Sequence, residues 1–403
     1  MSQREQQNYI PALTGVRALA AYLVFVSHYE YTFDKNFSHG LQRFFLEFHI
    51  GVTIFFVLSG FLIAFRYYDN FHLTKDWFKQ YLKNRVARIY PMYFLITAAA
   101  FFVYYFTRDP AIVNGFPSAV GLFFMHITFL RGFFHQLVFT GVAQGWSLTV
   151  EECFYFSAPI IFFIIHKYRK YYLQILSITA FGFLMVLIFR NVNWYGFFSD
   201  FTFMMLYTFF GRCFEFFVGI KLALMVRSKG FHRSNKLKFT YTGFVLIFFC
   251  VWLMSLLPIP AGWSAGLHNP CGIIINNYLL AISIATFFYG LITETTVMKK
   301  VLATPFVELL GKSSYIFYLI HLGFMYVFIY NGINWLNDKT FILYDQWGVD
   351  WHSPFEYDWL NILYAFVLLN VVSVILFKFI EEPLNHFIRK SDFLIKAKPK
   401  QTT

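Results

Sequence analysis

Apolar residues in this chain come in long unbroken runs, not in the i, i+3, i+4 stripes of a helix with one wet face. "GVTIFFVLSGFLIAFRYY" (51–68) has no charge before Arg66, and "YYLQILSITAFGFLMVLIF" (171–189) has none at all. A helix needs about 20 such residues to cross a bilayer core. Ten runs meet that pattern: 11–30, 48–65, 90–107, 147–166, 172–189, 201–226, 239–257, 273–292, 313–331 and 359–381. The apolar piece 118–130 is too short to cross and fits a re-entrant or interfacial segment. The expected fold is all-α, a multi-pass transmembrane helical bundle. No linker or internal repeat is visible, so 1–390 is expected to be one transmembrane domain, followed by a basic cytoplasmic tail, 391–403.

Composition agrees with this pattern. The 403 residues are 58% hydrophobic and 13% charged, with mean hydropathy +0.54. Soluble domains carry roughly twice that charge, about 25%. The net charge of +12 raises nucleic acid as a partner, but its distribution argues otherwise. With the N-terminus cytoplasmic, the external segments hold only Lys35, Arg43, Arg108, Arg131, Arg190 and Lys339 of the 33 Lys and Arg. That is a positive-inside bias, it places both termini in the cytoplasm, and it accounts for the basic balance without nucleic acid. The 57 Phe are read as lipid-facing and packing mass. Cys153, Cys213, Cys250 and Cys271 lack ligand spacing, so neither a disulfide nor a metal site is expected. The N-terminal stretch lacks the pattern of a signal peptide and is read as a cytoplasmic lead-in.

Against this apolar background the ionisable residues inside spans stand out, because burying them is costly unless they pair or act. Arg17 and His28 sit eleven positions apart in the first run. At about 100° per residue that is roughly 1100°, about 20° beyond three turns, so both lie on one helix face some 16 Å apart along the axis. A snorkelling Arg and an interfacial His would show the same positions. Ser59-Gly60 interrupts the second run, which fits close helix packing or a ligand's approach to the backbone. Lys79, Lys83, Arg85 and Arg88 precede the third run, with Pro91 at the expected helix start. They serve either as topogenic charge or as an anion site, since guanidinium forks suit phosphates. Glu151 and Glu152 open the fourth run at its outer end; being about 100° apart, at most one faces a given site. Arg212 and Glu215 fit a mutual pair. His321 is expected mid-span, and Pro383 is expected to stop the last helix.

"ALTGVRALAAYLVFVSH", "GVTIFFVLSGFLI", "RVARIYPMYF", "WSLTVEECFY", "SYIFYLIH" and "IEEP", in this order, resemble the acyltransferase-3 family of integral membrane O-acyltransferases. The resemblance covers nearly the whole chain. It implies transfer of an acyl group, usually acetyl, from cytoplasmic acyl-CoA to a hydroxyl of an extracytoplasmic carbohydrate such as a surface polysaccharide or lipopolysaccharide, in a bacterial cytoplasmic membrane. The family's Arg-x10-His falls on Arg17 and His28, its glycine-serine motif on Ser59-Gly60, its Arg-x2-Arg on Arg85 and Arg88, and its acidic residue on Glu151 or Glu152. Cys153 stands where a Gln is usual. The extracytoplasmic hydrolase-like domain of some members does not follow the spans, so a two-step relay within this chain is not expected.

On that resemblance, Arg85, Arg88 and Arg17 would hold the phosphates of CoA. Ser59 and Gly60 would border the donor, whose pantetheine arm would reach towards His28. His28 would act as general base or as nucleophile, with Glu152 or Glu151 orienting it. A proton-coupled transporter or flippase, with His28, His321 and the carboxylates as a proton relay, is the competing reading. A non-catalytic scaffold is the third.

Overall fold

A computed structural model describes residues 9–29, 39–108, 118–229, 238–347 and 353–391. The apolar runs form helices because inside a bilayer only a helix or a closed barrel satisfies every backbone group. In chain order they are α1 (Pro11–Tyr29), α2 (His39–Leu46), α3 (Gly51–Tyr67), α4 (Lys75–Phe106), α5 (Ala119–Ile127), α6 (Trp146–Tyr168), α7 (Tyr171–Phe189), α8 (Phe201–Tyr207) and α9 (Phe209–Lys229). There follow α10 (Phe239–Leu256), α11 (Pro270–Ile274), α12 (Leu280–Thr293), α13 (Val297–Leu302), α14 (Pro305–Ile320), α15 (Phe324–Trp347), α16 (Asp358–Leu376) and α17 (Glu382–Lys390). Among the described residues, eight helical stretches are long and apolar enough to cross a membrane, and the bent pair α14–α15 makes up to nine. The more charged α9 packs in the core, with Phe216, Phe217 and Ile220 fully buried.

Several boundaries differ from expectation. The third span starts at Lys75, where the Thr74 hydroxyl caps the Trp77 N–H at 3.3 Å. Pro91 therefore lies inside α4, and Arg85 and Arg88 ride on the spanning helix itself. The sixth span is divided at Thr208, whose backbone is extended. A π turn, Ile275–Leu279, joins α11 to α12 and carries buried Asn276 and Asn277. The Asn277 amide donates to the Met205 carbonyl at 2.8 Å, which offsets the burial of the amide.

The ninth span breaks after α14. Gly323 takes φ +82°, and the axis turns by 89° into α15. His321 therefore sits at a corner instead of mid-span. The stretch from 337, expected as an external loop, is helical to Trp347. Pro383 does not stop the tenth span. It occupies the first turn of α17, where a missing N–H costs little, and a π turn, Phe377–Glu381, joins that helix to α16. The short piece from 118 forms α5. Residues 392–403 of the expected tail lie outside the described residues.

Gly60 and Gly219 set a close crossing of α3 and α9. A Cβ at Gly60 would lie 2.1 Å from the Phe216 carbonyl oxygen, and one at Gly219 would lie 2.1 Å from that of Val57. Backbone meets backbone there, so α3 and α9 would have to separate to admit a methyl group. Gly60→Ala and Gly219→Ala are each expected to destabilise the protein by about 1–3 kcal/mol. Thermal unfolding in detergent checks this, and wild-type stability in both variants would refute the tight crossing.

Candidate active site

A pocket opens among α1, α3, α4, α6 and α14. Its lining includes Arg17, Ser59, Arg85, Arg88, Glu151, Tyr155, Tyr315 and Tyr318. Five of the eight site residues expected from the sequence are thus brought together. Arg85 Nη2 donates to the Tyr67 hydroxyl at 3.3 Å, and its guanidinium lies over the rings of Tyr67 and Tyr155, 5.5 and 5.7 Å from their centroids. Arg88 Nη1 is 3.3 Å from Glu381 Oε1. Among the described residues Arg17 has no hydrogen-bond or ion-pair partner, and its Nε is buried. Arg88, Glu381 and Glu151 are its electrostatic neighbours.

The Ser59 hydroxyl donates to the Glu151 carboxylate, and the Tyr155 hydroxyl stands 3.4 Å from Ser59 Oγ. Glu151, in the second turn of α6, therefore belongs with the arginines. Glu152, one helical step round, does not line the pocket, although Arg85 is its electrostatic neighbour. Gly60 is a correction as well. The Phe216 backbone fills the space over it and leaves no room for a donor molecule.

His28 lies three turns from Arg17, at the other end of α1. Its side chain keeps accessible surface. It forms no hydrogen bond with Glu151 or Glu152, so the expected orienting carboxylate is absent. Its neighbour is His321, with ring centroids 5.5 Å apart. His321 is fully buried, and its Nδ1 lies 2.8 Å from the Tyr318 carbonyl oxygen. A ring nitrogen facing a carbonyl must donate, so in the neutral ring Nε2 bears the lone pair. That Nε2 has no partner. The Tyr29 hydroxyl donates to the His321 carbonyl at 2.7 Å and holds the corner next to His28. Tyr318 connects the two ends: its ring lines the arginine pocket and its carbonyl holds His321.

A family model described as an acyltransferase domain, acyltransferase-3, matches residues 10–378. The chain belongs to the acyltransferase-3 family. Among its relatives, the O-acetyltransferase OatA of Staphylococcus aureus is 27% identical over 190 residues, 44% of this chain and 30% of the relative. The peptidoglycan O-acetyltransferase OatA of Listeria monocytogenes is 29% identical over 182 residues, 41% of this chain and 26% of the relative. The acyltransferase MdmB of Streptomyces mycarofaciens is 27% identical over 169 residues, 39% and 40% of the two chains. The chain thus matches less than half the length of these curated relatives. No solved structure matches it.

This acyltransferase-family chain treats its buried arginines in two ways. Arg212 donates to Glu215 at 2.8 Å, to Thr53 Oγ1 at 2.9 Å and to the Leu206 carbonyl at 3.2 Å. Removing it strands the fully buried Glu215, a loss of about 3–5 kcal/mol for a broken buried pair. Arg17 has no such bonds to lose. Arg212→Met is therefore expected to unfold the protein or lower its melting temperature strongly, whereas Arg17→Met leaves the melting temperature unchanged or raised. A fall with Arg17→Met equal to that with Arg212→Met would show Arg17 to be a structural residue.

Proposed function

We propose that the protein transfers an acyl group, acetyl in the first instance, from cytoplasmic acyl-CoA to a hydroxyl of an extracytoplasmic cell-surface glycan, as a bacterial cytoplasmic-membrane enzyme. The observation that carries this reading is the partnerless Arg17, which shares a pocket with Arg85 and Arg88 at one end of α1 while an accessible His28 stands at the other. Family membership supports acyl transfer. The names of the relatives support O-acetylation, and one of them favours a peptidoglycan-type acceptor over lipopolysaccharide.

In this reading the arginines bind the donor's phosphates as forks. The thioester is presented past Tyr318 towards His28. His321 Nε2, unpartnered beside the His28 ring, is placed to accept from one His28 nitrogen once that ring turns towards it, which leaves the other nitrogen unprotonated towards the acceptor. That nitrogen takes the acceptor's hydroxyl proton, the oxygen bonds to the thioester carbon, the C–S bond breaks, and the imidazolium returns the proton to the thiolate. His suits both steps because its ordinary pKa lies near working pH.

Membranes supplied with radiolabelled acetyl-CoA and a glycan acceptor test the proposal. His28→Ala is expected to lower transfer at least ~100-fold, the usual share of acid–base catalysis. Unchanged transfer in that variant would refute it. A label that stays on the denatured wild-type protein and vanishes in His28→Ala would mark His28 as nucleophile instead of base. The His pair makes a second expectation. In His321→Asn the amide oxygen can still accept from His28, whereas the side chain of His321→Leu cannot. The Asn variant should retain most of kcat and the Leu variant lose about 10- to 100-fold, both with the donor KM unchanged. Equal kcat in the two variants would remove the orienting role.

A further inference from the structure

The family match ends at 378, yet the chain continues through α17, which packs along the cytoplasmic half of α4. Two contacts fix it there. Glu381, just before α17, stands 3.3 Å from Arg88, and the carbonyl of Ser391, just after it, accepts from the Lys83 ammonium. The helix thus runs antiparallel to residues 83–88, and Arg389 comes to lie beside Arg85. Arg389 is half-buried and, among the described residues, has no hydrogen-bond or ion-pair partner; its Nε is enclosed. Its charged neighbours are Arg85, Arg66 and Arg88. Arg66 occupies the last turn of α3, next to the Tyr67 that binds Arg85, and it too has no hydrogen-bond or ion-pair partner among the described residues.

We propose that Arg66 and Arg389 complete a phosphate-binding site at the cytoplasmic mouth of the arginine pocket, and that its ligand is a soluble molecule carrying several phosphates. Arg66, Arg85, Arg88 and Arg389, with Arg17 behind them, outnumber the carboxylates set against them, Glu381, Glu151 and Glu152, so positive charge is in excess. Converging like charges in a partly buried site repel one another, and an anion with several charges relieves that repulsion at many nitrogens together. A single phosphate can engage one or two forks, whereas a pyrophosphate with a further phosphate on its ribose can reach all of them. Sequence hid both residues because each stands among basic residues that topology already explains. The inference rests on the acyl-CoA reading only for the identity of the ligand.

Calorimetry on the purified full-length protein in nanodiscs, with CoA, dephospho-CoA and inorganic pyrophosphate as probes, tests this. Arg389→Gln and Arg66→Gln should each weaken CoA binding about tenfold and flatten its dependence on salt. Arg389→Lys should keep part of the affinity, and Lys390→Gln, at the exposed neighbouring position, should keep all of it. If wild type binds CoA and both Gln variants bind it equally well, the inference falls and the donor reading stands. If wild type ignores CoA but binds pyrophosphate, and the Gln variants bind it less, the donor reading falls and the phosphate site stands. Thermal stabilisation by phosphatidylglycerol that disappears in Arg389→Gln while CoA affinity is unchanged would assign Arg389 to a lipid headgroup and overturn the proposal. Should Arg389→Gln unfold, Arg66→Gln, at an exposed position, carries the same comparison.

Discussion

An arginine taken out of water into a helix bundle loses several kcal/mol of solvation unless protein groups replace the water. Arg212 has that replacement in Glu215, Thr53 and the Leu206 carbonyl. Arg131 has it in the carbonyls of Val138, Thr140 and Val142, at 2.5–2.8 Å. Arg17 has carboxylates only as electrostatic neighbours and, among the described residues, no hydrogen bond. A buried Nε without a partner is not peculiar to this pocket, since Arg43, Arg131 and Arg227 each have one, but their other nitrogens are bonded to carbonyls. Arg17 and Arg389 differ in that no nitrogen of theirs is bonded among the described residues. Bonded arginines brace the structure, and in the proposed reading the unbonded ones are left for an anion.

The distance between the two ends of the site depends on two helices. α1 carries Arg17 and His28, and α14 carries Tyr315 and Tyr318 with His321 at its end. They are locked at the cytoplasmic side, where a Cβ at Gly311 would lie 2.0 Å from the Thr14 carbonyl oxygen. They are locked again at the other side by the Tyr29 hydroxyl on the His321 carbonyl. Held at both ends, the pair cannot slide, so the three-turn interval between the arginine and the histidine is set by helix geometry.

Much of this was legible from spacing. The shared face of Arg17 and His28 follows from 3.6 residues per turn, and the long apolar runs locate the spans. Where sequence misled, a tertiary contact decided. Pro91 looked like a helix start, but the helix had begun at Thr74, and a proline inside a spanning helix is tolerated once neighbours shield the freed carbonyl. Glu151 and Glu152 were indistinguishable until Ser59 selected one of them. Gly60 read first as a helix's approach and second as a ligand's, and the Phe216 backbone occupies the place. His321 drew attention as a buried histidine, but nothing in its neighbourhood along the chain shows that its partner is His28. Arg66 and Arg389 were lost among charges that the positive-inside rule already explains.

The corner after α14 shows why the histidine pair needs a broken helix. In a continuous helix the His321 carbonyl would accept the N–H of residue 325, and its ring would point along the regular face of α14. At the break that carbonyl is free, and Tyr29, the residue after His28, binds it. His321 still donates its own N–H back to Phe317 at 3.0 Å, so it is anchored to the helix on one side and to α1 on the other. The left-handed Gly323 then carries the chain away at 89° and leaves room beside His28. A carboxylate in that place would bring a charge into an apolar part of the bundle. A neutral imidazole sets an unpartnered lone pair beside His28 without one, and the break in α14 brings it there.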